Sequence, residues 1–394
     1  MRIVRKSHQL MAAMAVGALV LAACGDNGGS GDETDDGAAA ASQDADDNGD
    51  DGDGDGSDDD DADGGGADGH CDPSEITLIG QVRDETNPYE ASWLHGGDVY
   101  AESIGLEQER LTYDNDSQQQ QEQIRQALTG SNIECTVMNV LPNGDSDAAP
   151  IVDGATDAGA WLVTQWNKPA DLHPWEGHDR WVAHITYDGD EAGYMIANAM
   201  FDEMGGEGGI VALQGILDTA AAQERFAGLQ RALDENPDVT LLDEQTANFG
   251  RTEALDVTRT LLTAHGDEIT GIWAANDDMA LGAIQALEAA GRDDVAVVGI
   301  DAVPEAVDLI EEGGMTATVS ADGPWQGGVG LAMGFCAATG EIDPTEVSND
   351  DRAFFAEQFL IEQSNASEFA EPQLDLGEMD CDQVFDRATG PSTP

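Results

Sequence analysis

Basic residues are scarce in this sequence. Its 394 residues include 15 Lys and Arg against 80 Asp and Glu, which gives a formal net charge of −65, and Lys6 and Lys168 are its only lysines. A chain with this charge is repelled by a phosphate backbone, so we exclude nucleic acid as a partner. Only 18 of the acidic residues lie between positions 25 and 69, so the other 62 make the remainder acidic as well. Such a surface stays soluble where salt screens its self-repulsion, and we expect a salt-loving host.

The catalytic motifs that can be recognised by their spacing are also missing. The sequence contains no Gly-x-Ser-x-Gly elbow, no Gly-x-x-x-x-Gly-Lys phosphate loop and no His-Glu-x-x-His. Neighbouring carboxylates are so common here that they do not indicate an active site. His173, His178 and His184 lack the spacing of zinc ligands. We therefore expect a protein that is not an enzyme and that has neither a cofactor nor a metal.

A long membrane-spanning run is absent, but the N-terminus is apolar. The run from Leu10 to Leu19 follows three basic residues and is shorter than the roughly 20 residues that a membrane span needs. Together with the small residues that follow, this order is typical of a secretory signal. The ending Leu-Ala-Ala-Cys24 resembles the bacterial lipobox, which implies cleavage before Cys24 and lipid on its sulfur. We predict a signal peptide over 1–23 and an extracytoplasmic protein that is anchored to the cell membrane.

Aromatic residues are absent from the stretch that follows. Residues 24–70 consist mainly of Asp, Gly, Ala and Ser, which cannot bury a core, and predict a disordered acidic tether. Within it, Asp51 to Asp61 superficially resembles a calcium loop. An EF-hand needs Glu at its twelfth position, where this sequence has Ala62. Low-complexity linker is therefore the better interpretation.

Four cysteines remain beyond Cys24. An even number in an exported chain suggests two disulfides, and the absence of Cys-x-x-Cys spacing argues against a redox or zinc site. Three pairings are possible. Cys71 precedes the first predicted strand and Cys135 begins the third. We favour Cys71 with Cys135 and Cys336 with Cys381.

Strand and helix patterns alternate through the rest of the chain. They run from a strand over Glu75–Val82 to a last long helix over Trp325–Ala338. Such alternation predicts parallel sheets that are covered by helices on both faces. The number of strands, with an irregular loop near the middle, indicates two α/β domains.

Polar side chains follow three of the predicted strands. Asn276 comes after the strand Ile269–Ala275, Asp301 after Val295–Ile300, and Arg225 lies on the helix after a third strand. Open α/β sheets bind ligands at the carboxyl ends of their strands. An amide, a carboxylate and a guanidinium on one rim suit a ligand with many hydroxyls. Alternatively, Asn276 and Asp301 cap the helices that follow them.

Four segments of the sequence resemble motifs of a single protein family, and they occur in the same order as in that family. They are Thr86-Asn-Pro-Tyr, Leu213–Leu233, Leu261–Leu287 and Val295–Asp301. Over about residues 76–361 the chain resembles the periplasmic sugar-binding proteins of ABC transporters, of the ribose-binding type. The resemblance implies the type I fold, in which two doubly wound parallel-sheet lobes are joined by a three-segment hinge. It places an N-terminal lobe over 71–183 plus 322–364, a C-terminal lobe over 184–321, and a C-terminal extension over 365–394.

The resemblance also implies a set of ligand-binding residues. Those that match the family pattern are Asn87, Tyr89, Arg225, Phe249, Asn276 and Asp301. Other positions depart from it: Glu90 replaces a second aromatic residue, Arg83 a small polar residue, and Trp166-Asn167 an Asp-Arg pair. Arg83 and Glu90 either add charged contacts to a larger or differently substituted sugar or pair with each other. We include these four among the ligand-binding residues, and their identity argues against ribose itself as the ligand.

The function implied by the resemblance is that of a monomeric receptor for a monosaccharide or similar solute. It would bind the ligand between its lobes and deliver it to an ABC permease in the membrane. The alternative is a sensor of the same fold that does not take part in transport. The sequence does not separate these two, whereas a neighbouring permease gene would.

Overall fold

The computed structural model of the protein describes residues 70–369 and 379–392. The predicted signal peptide, the lipidation site Cys24 and all of the predicted tether except residue 70 lie outside the described residues. Within these ranges, no helix is both long and apolar enough to cross a membrane.

Thirteen strands and ten α-helices make up the described part of the chain. The strands are β1 Thr77–Val82, β2 Gln108–Thr112, β3 Thr136–Val140, β4 Trp161–Gln165, β5 Trp181–Thr186, β6 Gly208–Gln214, β7 Val239–Thr246, β8 Ile269–Ala274, β9 Ala296–Val298, β10 Ala317–Val319, β11 Ala353–Ala356, β12 Leu360–Glu362 and β13 Ala388–Pro391. The α-helices are α1 Pro88–Ser103, α2 Ser117–Ala127, α3 Asp145–Ala158, α4 Gly189–Glu203, α5 Ala220–Glu235, α6 Arg251–His265, α7 Asp277–Ala290, α8 Pro304–Glu312, α9 Gly323–Ala338 and α10 Asn349–Arg352. Short 3₁₀ turns occupy Pro73–Glu75, Ile133–Cys135, Gly266–Glu268 and Ala366–Glu368.

The strands form two sheets, one in each lobe. The first has the order β13-β11-β5-β4-β3-β1-β2, and the second has the order β12-β10-β9-β8-β6-β7. All pairings are parallel except those of the edge strands β13 and β12. Central strands such as β3 and β5 are buried along their whole length, as parallel sheets covered on both faces require. The predicted α/β architecture with two doubly wound lobes is confirmed.

Glycines allow the helices α1 and α9 to pack closely against each other. A Cβ on Gly96 would lie 1.8 Å from the backbone oxygen of Pro324, and one on Gly327 would lie 1.8 Å from that of Trp93. Both separations are far below van der Waals contact. The glycines of these helices therefore set how closely their backbones approach.

The sheets revise two of the predicted lobe boundaries. The predicted junction between residues 183 and 184 falls inside β5, which pairs with β4 along its length and belongs wholly to the first lobe. The predicted return of the first lobe to residue 364 includes β12, which instead pairs with β10 in the second sheet. Both of these boundaries lie next to buried strands. They were misplaced because the hydrophobic pattern does not reveal which sheet a buried strand joins.

The C-terminal extension contacts both lobes. Its turn Ala366–Glu368 packs against α8 of the second lobe, whereas β13 pairs with β11 in the first. The chain thus passes between the lobes once more than the three-segment hinge predicts.

Disulfides join Cys71 to Cys135 and Cys336 to Cys381, with Cα separations of 5.6 and 5.7 Å, which is the favoured pairing. The second bond fastens the extension to α9.

Candidate ligand-binding site

A cavity of about 40 Å³ lies between the two lobes. All ten residues that the sequence predicted for the site line it: Arg83, Asn87, Tyr89, Glu90, Trp166, Asn167, Arg225, Phe249, Asn276 and Asp301. Sequence reasoning missed two further lining residues, Leu141 and Ala221. Both are apolar, and their only signal was position: Leu141 directly follows β3, and Ala221 lies in the first turn of α5.

Asn276 lies just past the carboxyl end of β8 and does two things at once. Its Oδ1 accepts a hydrogen bond from the Met279 N–H at 3.1 Å, which caps α7. Its Nδ2 donates to the carbonyl of Phe249 at 3.4 Å. Capping and a place in the cavity are therefore compatible, because the amide oxygen and nitrogen face different partners.

Arg225 and Asp301 form a buried pair on the second lobe. Arg225, which is 3% exposed, donates to the carbonyl of Ala275 at 2.6 Å, and its other terminal nitrogen lies 3.8 Å from Asp301 Oδ1. Burial raises the pKa of Asp301, and the charge of Arg225 opposes that shift. Asp301 does not cap α8, whose N-cap is Val303. Its carboxylate thus remains directed to the cavity.

Asp277 is a supporting residue that sequence reasoning assigned only to a turn. It is fully buried and accepts hydrogen bonds from Thr318 Oγ1 at 2.7 Å and the Val303 N–H at 3.0 Å. Burial raises its pKa, because desolvation disfavours the charged form. These bonds tie the start of α7 to the loop that carries Asp301.

The first lobe contributes Asn87, which caps α1. Its Oδ1 accepts from the Tyr89 N–H at 3.0 Å, and its Nδ2 donates to the Phe249 carbonyl at 3.4 Å. The same carbonyl accepts from Asn276. One backbone oxygen therefore receives an amide from each lobe.

Two aromatic residues form one wall of the cavity. The rings of Tyr89 and Trp166 meet edge to face with centroids 6.0 Å apart, and Trp166 Nε1 donates to the Tyr89 hydroxyl at 2.9 Å. That hydroxyl in turn donates to Gln326 on α9, which sequence reasoning did not connect with the site. The Arg225 guanidinium lies over the Trp166 ring, 4.7 Å from its centroid. The wall thus contacts the second lobe through a cation–π interaction.

Arg83 and Glu90 form a second buried ion pair. Arg83 donates to Glu90 Oε1 at 3.0 Å, and Glu90 Oε2 accepts from the Asp84 N–H at 2.8 Å. Each carboxylate oxygen of Glu90 therefore already has a partner within the protein. Of the two roles predicted for Glu90, the structure shows the pair with Arg83, and Glu90 also lines the cavity.

Direct contacts join the lobes beside the cavity. The Asp145 N–H donates to the carbonyl of Asp218 at 3.0 Å, and the Ala220 N–H donates to Asp145 Oδ1 at 2.9 Å. Ser146 Oγ donates to Asp218 Oδ2 at 2.8 Å. The structure therefore shows the lobes closed on each other.

No cluster of three potential metal ligands occurs among residues 70–369 and 379–392.

Two α/β lobes closed over a polar cavity with an aromatic wall define a two-lobed solute-binding protein. Residues 82–342 match the model of the periplasmic binding protein domain family, and the chain belongs to that family. It is thus an extracytoplasmic binding protein with the type I fold of the ribose-binding proteins. Family membership also agrees with the absence of catalytic motifs, since the relatives are binding proteins.

Individual relatives match over different lengths. The xylitol-binding protein of Mycolicibacterium smegmatis is 29% identical over 275 residues, which is 69% of this chain and 75% of that protein. The ribose import binding protein of Salmonella typhimurium is 41% identical over 140 residues, or 35% of this chain and 46% of that protein. The match thus spans just under half of the ribose protein.

Solved structures resemble the whole of both lobes. A twin-arginine translocation pathway signal protein from Burkholderia phytofirmans aligns with a TM-score of 0.78 and 37% identity, covering 81% of this chain and 99% of that one. An ABC transporter solute binding protein from Bacillus halodurans, with bound myo-inositol, aligns with a TM-score of 0.65 and 26% identity over 78% of this chain and 99% of that one.

Proposed function

We propose that the protein binds one small, uncharged, polyhydroxylated solute, a monosaccharide or a polyol, between its lobes and delivers it to an ABC permease. The observation that carries this proposal is the lining of the cavity, where guanidinium, carboxylate and amide side chains from both lobes meet beside an aromatic wall. A few polar groups converging on one pocket between lobes are typical of a small-molecule site.

The chemistry of the lining suits hydroxyl groups. A hydroxyl donates one hydrogen bond and accepts others, so it satisfies both the guanidinium nitrogens and the oxygens of Asn167 and Asp301. The C–H faces of a sugar or polyol rest on aromatic rings such as those of Tyr89, Trp166 and Phe249. The names of the relatives, which mention xylitol and ribose, support the same class.

The closed lobes suit a transport cycle. A ligand that contacts both lobes shifts the equilibrium from open to closed, and a permease that recognises the closed form then receives only loaded protein. Lipid on Cys24 would keep the protein at the outer face of the membrane, within reach of that permease. This role involves no covalent chemistry.

Calorimetric titration of the purified protein with pentoses, hexoses, pentitols and inositols, at high and low salt, tests the proposal. We expect one of these solutes to bind with micromolar affinity or better. Asp301→Ala or Asn276→Ala should weaken that binding by about tenfold or more, because each removes a ligand hydrogen bond. A folded protein that binds none of these solutes would overturn the proposal.

A further inference from the structure

We infer that two chain segments at the rim of the cleft, residues 144–146 of the first lobe and 218–220 of the second, form a latch that stabilises the closed form before any ligand binds. Neither segment lines the cavity. The latch therefore goes beyond the proposed function, because it acts on the movement of the lobes and does so whichever solute the protein binds.

The latch is built from the starts of two helices that meet across the cleft. α3 begins at Asp145 in the first lobe, and α5 begins at Ala220 in the second. The first N–H groups of a helix have no partner within that helix. Here the Asp145 N–H donates to the carbonyl of Asp218 at 3.0 Å, and the Ala220 N–H donates to Asp145 Oδ1 at 2.9 Å. The first N–H of each helix is thus satisfied by the opposite lobe.

Two carboxylates take part in this contact, one from each lobe. Ser146 Oγ, on α3, donates to Asp218 Oδ2 at 2.8 Å, so Asp218 holds α3 as Asp145 holds α5. The N-terminal end of a helix carries a partial positive charge, which favours a carboxylate beside it. Without these aspartates, two positive helix ends this close would repel each other. The pairing is reciprocal, and it exists only while the lobes are together.

Gly144 lets the two segments approach each other. A Cβ at this position would lie 2.7 Å from the backbone oxygen of Asp218 and 2.8 Å from its Oδ2, and the three atoms nearest to it all belong to Asp218. The φ of −141° and ψ of 173° at Gly144 are extended values that any residue adopts. The fold of the first lobe therefore does not require glycine here, whereas the closed contact does.

The latch is strong enough to change the balance between the open and closed forms. Opening transfers its three hydrogen bonds to water, and each such exchange shifts an equilibrium by roughly two- to tenfold. Contacts that are made only in the closed form favour closure with or without ligand. They should therefore also slow the release of a bound solute.

The test measures the separation of the lobes in the full chain without ligand. Spin-labelled amino acids in place of the exposed residues Gln126 on α2 and Thr260 on α6 report this distance by pulsed electron paramagnetic resonance. These helices follow β2 and β7, which lie at the sheet edges opposite the strands where the chain passes between the lobes. Opening therefore changes their distance strongly. We expect a closed population of at least about one tenth in the wild type.

Gly144→Ala is the decisive variant, because its methyl group would meet Asp218 only in the closed form. We expect it to lower the ratio of closed to open molecules by at least about fivefold. Ser146→Ala removes one hydrogen bond from an exposed side chain and should lower the ratio by roughly two- to tenfold. Gly154→Ala on α3, whose Cβ meets nothing within 4 Å, is the matched control and should leave the ratio unchanged. Thermal unfolding verifies that each variant is folded, and Ser146→Ala decides the outcome if Gly144→Ala is not.

Binding kinetics give a second readout, with D-ribose, D-galactose, xylitol and myo-inositol as probes. A solute that binds should leave Gly144→Ala at least about fivefold faster than it leaves the wild type, with similar association rates. If none of the four binds to folded wild type, the proposed function fails, and the ligand-free distances still decide the latch. A wild type that shows only the open distance, or a Gly144→Ala variant that closes as often as the wild type, would overturn the latch.

Discussion

Three residues that line the cavity have backbone conformations that L-amino acids seldom adopt. The φ angles are 63° at Trp166, 62° at Phe249 and 133° at Asp301. Such conformations cost about 1–3 kcal/mol each and persist only where the surrounding structure enforces them. Phe249 shows how tightly its side chain is held: a Cβ on Gly215 would lie 2.1 Å from the tip of its ring. Three of the seven non-glycine residues with positive φ in the described part of the chain therefore line the cavity.

Glu224, the neighbour of Arg225 on α5, carries a pH dependence. Its pKa is raised to about 7 by burial and then by the carboxylates of Asp188 and Asp145, while the Gly189 N–H and Arg225 oppose the shift. Unfolding returns the carboxyl to its ordinary range near 4.3. The folded state then binds more protons between these values, so the contribution of Glu224 to stability falls as pH rises through about 7.

We predict that Glu224→Gln removes this component of the pH dependence. Thermal unfolding should give similar midpoints for wild type and variant at pH 4, where Glu224 is protonated when folded and largely protonated when unfolded. At pH 8 the variant should be more stable, by at most about 3 kcal/mol, because it has no buried charge to desolvate. Glu311→Gln, at an exposed position on α8, serves as the control and should follow the wild type. Parallel curves for wild type and Glu224→Gln would contradict the prediction.

The contact between α1 and α9 explains why α9 is rich in glycine. The segment Gly323–Ala338 contains five glycines, which are poor helix formers, yet it forms a regular helix that is buried against α1 and the first sheet. Tertiary packing outweighs propensity here, because glycine at the crossing lets the two backbones come close. The sequence predicted the helix from its length and apolar character, but not the partner that explains its glycines.

We expect Gly327→Ala to destabilise the protein by about 1–3 kcal/mol, since its methyl group would meet the Trp93 backbone and force α1 from α9. Gly154→Ala on α3 is the matched control, because a Cβ there meets nothing within 4 Å. It should be neutral or stabilise by up to about 1 kcal/mol through helix propensity. Urea unfolding measures both. Equal effects of the two substitutions would show that packing at Gly327 is not tight.

Elements with strong local signals were predicted closely, and those without were not. The predicted strand Ile269–Ala275 and the predicted helix Trp325–Ala338 match β8 and α9 to within two residues. The last three strands were missed. β13 has the sequence Ala-Thr-Gly-Pro, which has little β propensity. It forms a strand because it pairs with β11 at the edge of the first sheet.

At the scale of the whole molecule, the C-terminal extension supports the region where the lobes meet. Arg387 forms a 2.6 Å ion pair with Asp322, which lies where the chain passes between the lobes from β10 to α9. The backbone carbonyl of Arg387 accepts a hydrogen bond at 2.9 Å from the N–H of Glu357, which lies where the chain passes between the lobes from β11 to β12. The Cys336–Cys381 disulfide keeps this segment on the first lobe.

Removal of that disulfide should therefore lower stability. The bond closes a loop of 45 residues, for which restriction of the unfolded chain gives about 4 kcal/mol as an upper value. We predict that Cys336→Ala/Cys381→Ala loses about 2–4 kcal/mol in urea unfolding. Reducing agent should then destabilise this variant less than the wild type, which has one more bond to lose. An unchanged unfolding midpoint would refute a stabilising role.

The sequence by itself determined the alternation of strands and helices and the two-lobed architecture, which depend on hydrophobic period, a local property of the chain. Position after a strand indicated Arg225, Asn276 and Asp301, whereas the other seven residues around the cavity came from the family resemblance. Only the tertiary structure decided that Glu90 holds Arg83, that Asp277 supports the loop of Asp301, and which sheets β5 and β12 join. It also decided the return of the C-terminal extension to the first lobe. Each of these depends on contacts that form only when the chain is folded, and the local sequence pattern does not predict which residues will be partners in such contacts.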